Sequence, residues 1–109
     1  MAQFINLTGH DINLPEGQVI KSEVVLGDAP RVIDIFGPFD ADGICFVTYG
    51  EIKNLPAPQA GTIYVVSAMV LAAAHAAGRT DCVAPATGHP SAKKNEKGHI
   101  LEVPGFVRR

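Results

Sequence analysis

The sequence predicts an α+β fold: a short-stranded mixed sheet with one principal helix, at about residues 68–77, in a compact β-α-β unit. Three observations lead there. Eleven Gly and eight Pro cut the 109 residues into short pieces, which suits short strands better than long helices. Thr62-Ile63-Tyr64-Val65-Val66 is a continuous apolar run, the pattern of a strand covered on both faces. The segment from Ala68 to Ala77 then turns Ala-rich, and Ala is the best helix former.

In chain order, Phe4 to Leu7 reads as a first short strand and Thr8-Gly9-His10 as a tight turn. Asp11 to Leu14 alternates, with Ile12 and Leu14 on one face. Pro15-Glu16-Gly17 is a turn, and Gln18 to Val25 resumes an extended pattern. Arg31 to Phe36 is a strand with apolar residues on both faces, and Ile44 to Tyr49 is a β-branched and aromatic strand. Ser67 fits the N-cap of the helix, since its hydroxyl can accept a bond from an orphan amide of the first turn. Gly78 is a natural stop. Asp81 to Ala84 makes the second strand of the β-α-β unit. His99 to Val103 is a last strand, and 104–109 an edge segment or frayed tail. Together these segments predict a sheet of about five to seven short strands.

The chain has the length of a single domain, residues 1–109, large enough to form a core without metal or disulfide staples. With no Trp and seven aromatic residues, that core is built mainly from Val, Ile, Leu and Ala. Cys45 and Cys82 both sit in apolar runs and read as core thiols, and neither has the CxxC partner of a zinc or redox motif. The first residues lack the basic and apolar regions of a leader, and the most apolar stretch, 63–77, is too short to span a bilayer. The expectation is a cytoplasmic protein with no membrane partner.

Charge is uneven. Residues 1–78 carry three Lys/Arg and eight Asp/Glu, whereas 79–109 carry six and three. The basic end suits a small anion and is too narrow a patch for duplex nucleic acid.

Ligands of open α/β sheets collect beyond the carboxyl ends of parallel strands. Two elements meet that edge here: Ser67 with the helix N-terminus, and the loop through Thr87 that leads to Lys93 and Lys94. Nucleotide fingerprints such as GxxxxGK[ST] and GxGxxG are absent, as is a GxSxG elbow around Ser67. The four histidines have no metal-type spacing. His10-Asp11 is a candidate acid/base pair, with a plain turn as the alternative. Arg79 and Asp81 flank the turn after the helix, spaced to pair with each other or across a subunit interface.

Asn6-Leu7-Thr8-Gly9-His10-Asp11-Ile12 resembles the opening "NLTPH" motif of a family of small proteins of bacteriophages, prophages and some bacteria. The segment 63–70, with Arg79, Asp81 and Pro85, resembles that family's central "YxVSxxVAxAxxxRxDxxxP" stretch. Residues 94–100 are similar to its closing "RDxxGxI" turn. The chain departs at Gly9, where Pro is usual, and at Lys94-Asn95, which replace the Arg-Asp pair. The resemblance implies a phage setting, action in the host cytoplasm and antagonism of host defence. The polar residues shared with the pattern are Asn6, Thr8, His10, Ser67, Arg79 and Asp81.

These readings combine into a non-catalytic binding protein, free of cofactor and metal. It would hold a small anionic, nucleotide-like ligand at Asn6, Thr8, His10, Ser67, Arg79, Asp81, Thr87, Lys93 and Lys94. A homo-oligomer is expected, because both strand faces are apolar. The alternatives are a protein–protein inhibitor of a host defence complex and a small hydrolase or lyase using His10.

Overall fold

A computed structural model describes residues 3–109 of the chain. Met1 and Ala2, the start of the segment read for a leader, lie outside the described residues. The centre is a four-stranded mixed sheet of β1 (Gln3–Asn6), β6 (Thr62–Val65), β7 (Cys82–Pro85) and β10 (Phe106–Val107), in that spatial order. β1 and β7 each run parallel to β6, and β10 is antiparallel to β7. Helix α1 (Ala68–Ala76) connects β6 to β7, so the β-α-β unit is present and its two strands are direct neighbours.

The helix bounds follow from its ends. Ser67 Oγ accepts the Val70 amide at 3.2 Å, the expected cap. At the other end Gly78 has φ +86, its amide bonds the His75 carbonyl, and the Arg79 amide bonds the Ala74 carbonyl. This is a Schellman stop, which needs a left-handed residue where Gly stands.

Alternation along β6 and β7 splits the core into two layers. Tyr64, Val66, Cys82 and Ala84 face α1, against Val70, Leu71 and Ala74. Val65 and Val83 face the opposite way, against Ile12, Leu14 and Val103. That second layer is closed by a small hairpin, β2 (Ile12–Asn13) with β3 (Val19–Ile20). It is also closed by the chain leaving a second hairpin, β8 (Lys93–Lys94) with β9 (Ile100–Glu102). The fold is α+β, as the sequence predicts. The strands assort differently from a single five-to-seven-stranded sheet, since six of them pair off as separate hairpins. Their short lengths and Gly/Pro turns give each hairpin its own twist and leave it outside the central ladder.

The C-terminal segment is a paired edge strand. Phe106 and Val107 pair with Pro85 and Ala84, and Phe106 stacks on Phe4 with ring centroids 5.2 Å apart. No helix among the described residues is long and apolar enough to cross a membrane.

The third hairpin stands apart. β4 (Arg31–Phe36) pairs with β5 (Val47–Lys53), with a register shift between Val32 and Asp34. Val32 and Ile52 at its base pack on the α1 layer. Farther out, the side chains meet no core: Phe36 is 69%, Phe39 71% and Phe46 88% exposed. The molecule is 54 Å in its longest dimension with a radius of gyration of 15.8 Å, against about 13 Å for a compact chain of this length. Both cysteines are free thiols. Cys82 is buried as expected, but Cys45 lies in this arm and is not a core residue, because the apolar run around it projects away from the body.

Candidate functional site at the carboxyl edge of the parallel strands

The parallel strands β1, β6 and β7 run on into Leu7-Thr8, Val66-Ser67 and Ala86-Thr87, so Thr8, Ser67 and Thr87 share one edge of the sheet. Two clefts of about 350 Å³ each open there, and Thr8 lines both. One is lined by Thr8, Ser67, Arg31, Leu7, Leu26 and Pro30 among others. The other has Thr8, His10, Thr87, Asp11 and Glu102 in its wall.

Asn6 shapes the turn that separates the clefts. It is fully buried, with 0% exposure, and every polar atom of its side chain is used. Nδ2 donates to the carbonyls of His10 at 2.8 Å and Ile20 at 2.9 Å. Oδ1 accepts from the Thr8 amide at 2.9 Å and from Thr8 Oγ1 at 2.7 Å. Asn6 therefore has nothing left for a ligand; it locks the Thr8–His10 turn onto the β2–β3 hairpin. Glycine at position 9 has a local cause. Its φ is +84, which Pro cannot adopt, and a Cβ there would lie 2.6 Å from Leu26 Cα.

The Ser67–Arg31 cleft has the chemistry of an anion site. The Ala68 and Met69 amides begin α1 and have no bond to protein groups among the described residues. Arg31 lies across the cleft, exposed, with no carboxylate in ion-pair range among the described residues. Leu26, 61% exposed, adds an apolar face. Arg31 and Leu26 escaped the sequence reading because nothing in their own neighbourhood marks them. Only the fold of the 26–31 segment over Ser67 brings them there.

The second cleft has the opposite electrostatics. Asp11 Oδ1 accepts the Ser22 amide at 2.9 Å, and Glu102 pairs with Lys93 at 3.5 Å. Two carboxylates oppose a phosphate, so Lys93 answers Glu102 before any ligand. Lys94 borders a shallow hollow with Asn95, Glu96, Lys97 and His99, away from Ser67. The bonds of His10 to protein groups run through its backbone: its amide donates to Thr8 Oγ1, and its carbonyl accepts from Asn6 and lies 2.9 Å from the Thr8 hydroxyl, whose one proton serves either it or Asn6 Oδ1. The imidazole is not joined to Asp11 or Ser67.

Arg79 and Asp81 sit at the other end of the sheet, before β7 begins. Arg79 Nε and a terminal nitrogen each donate to Asp81 at 2.9 Å, and that terminal nitrogen also reaches the Pro56 carbonyl at 2.8 Å. The bidentate pair ties the turn after α1 to the 55–58 connection. Its bonds raise the Arg79 pKa and lower that of Asp81. Burial, with Asp81 alongside, pushes the Cys82 thiol up to about 11. The nine residues named from sequence therefore divide. Thr8, His10, Ser67 and Thr87 gather at the carboxyl edge, Asn6 lies beneath them, Arg79 and Asp81 clamp the far end, and Lys93 and Lys94 belong to the β8–β9 hairpin. No family model, curated protein or solved structure matches the chain.

Proposed function

We propose that the protein binds, without catalysis, a small phosphate-bearing ligand of nucleotide type in the Ser67–Arg31 cleft. The observation that carries this is the convergence of the α1 N-terminus and Arg31 on one cleft of about 350 Å³. That volume is at the lower end of small-molecule sites. The amides and Arg31 supply fixed positive ends for a phosphate. Leu26 and Pro30 supply an apolar wall for a ring. The resemblance to phage proteins supports a role in which such binding sequesters a host defence signal in the host cytoplasm.

The test is mass spectrometry of small molecules released on denaturing protein purified from cells in which it is expressed. A stoichiometric phosphate-bearing compound, lost from protein carrying Arg31→Ala, is the expected result. Protein that carries no such compound and binds none from a nucleotide panel would overturn the proposal.

A further inference from the structure

We infer that the β4–β5 arm is the contact surface between two copies of this chain, each arm seated on the other copy's body. The arm is a separate two-stranded sheet, and isolated hairpins are marginal in water. Its register puts Phe36 opposite Val47 and Ile35 opposite Thr48, on alternate faces. Ile35, Phe36, Val47 and Tyr49 are all more than half exposed, so both faces are bare. With Ile33 and the tip residues Phe39, Ile44 and Phe46, the exposed apolar side chains present about 900 Å² on typical side-chain areas. A standard interface buries about 800 Å² per partner. Exposed apolar surface of this size, gathered on one arm, marks an interaction site.

Charge selects the occupant. Residues 33–50 carry Asp34, Asp40 and Asp42 and no Lys or Arg. Asp40 folds the tip, accepting the Asp42 and Ile44 amides at 2.9 and 3.0 Å. The complementary surface is on the same chain. Beside α1, a groove is floored by Ala68, Leu71 and Val107 and rimmed by His75, Arg108 and Arg109. The arm is held by its base and projects away from its own body, so a second copy brings the basic, apolar-floored groove to the acidic, apolar tip. Reciprocal seating closes a two-fold dimer, the commonest symmetric assembly. The same acidity disfavours an anionic lipid surface.

Light scattering and sedimentation of the full chain at about 20 μM test this, a concentration chosen to populate dimers of micromolar affinity. A mass twice the 11.5 kDa of the chain is expected. Phe46→Ser should weaken the dimer by at least tenfold, with circular dichroism and denaturant midpoint showing a folded protein. Asp34→Lys with Asp42→Lys, which spare the Asp40 bonds that fold the tip, should weaken it too, and adding Arg108→Asp with Arg109→Asp should restore it. A monomeric wild type would overturn the inference. So would a dimer indifferent to Phe46→Ser, failed charge rescue with folded protein, or a monomer whose arm binds phosphatidylserine vesicles instead.

Discussion

Val65, Val66 and Ala84 in the body have no exposed surface, while Phe36, Phe39 and Phe46 in the β4–β5 arm keep more than two-thirds of theirs. Both regions are rich in β-branched and aromatic residues. They differ in what surrounds them. The body strands are covered on one face by α1 and on the other by the β2–β3 hairpin and Val103. The arm has a covered base and nothing around its outer half. Burial in the body stabilises the fold, whereas apolar surface on the arm contributes nothing until a partner removes it from water. The two regions should therefore respond to mutation in opposite ways.

Asn6→Ala should have the largest effect. It leaves the Ile20 carbonyl and the Thr8 amide without these partners and the His10 carbonyl with the Thr8 hydroxyl alone, at about 2–5 kcal/mol for two unsatisfied groups. A urea midpoint near that of wild type would mean the turn stands without Asn6. Ala73→Leu, on the buried face of α1, should overpack the layer against β7 and cost about 1–3 kcal/mol. Here an unshifted midpoint would show that the body has slack.

Ser67→Ala should cost about 0.5–2 kcal/mol from the lost cap. The titratable groups give the body a window in pH. Asp81 is depressed, so its contribution is complete above the ordinary carboxylate range and lost as pH falls through the lower folded value. Cys82 is raised to about 11, so its contribution is complete below about 9 and lost as pH rises toward 11. Thermal melts should fall on both sides, and Asp81→Asn should flatten the acid side. Phe46→Ser should have the smallest effect: at concentrations dilute enough for monomer, the unfolding free energy from urea titration should stay within about 0.5 kcal/mol of wild type. A large loss there would erase the distinction between arm and body.

Much of the secondary structure, in body and arm alike, was legible from local signals. The strand at 31–36 and the helix from Ala68 agree with the structure, because alternation, an N-cap and a stop glycine are encoded within a few residues. β5 is displaced from 44–49 to Val47–Lys53, because pairing with Arg31 and Val32 carries the ladder through Glu51 and Lys53, residues of low strand propensity. The bareness of the arm was not legible, since apolar residues on both faces of a strand look the same whether covered or exposed. At the site, Ser67, Thr8 and Thr87 were legible as strand ends. Arg31 was not, because its approach to Ser67 is a tertiary contact. The lysines were misplaced toward Ser67 for the same reason: sequence order shows that they follow Thr87, not that Lys93 turns to Glu102.

Isothermal titration of a nucleotide panel against wild type, Arg31→Ala and Lys94→Ala tests the anion cleft most directly. Binding is expected in wild type and unchanged in Lys94→Ala. In Arg31→Ala it should weaken by about tenfold or more, as expected for loss of a charged hydrogen bond of about 1.5–3 kcal/mol. Equal binding by wild type and Arg31→Ala, or loss of binding in Lys94→Ala alone, would contradict the placement of the ligand beside Ser67.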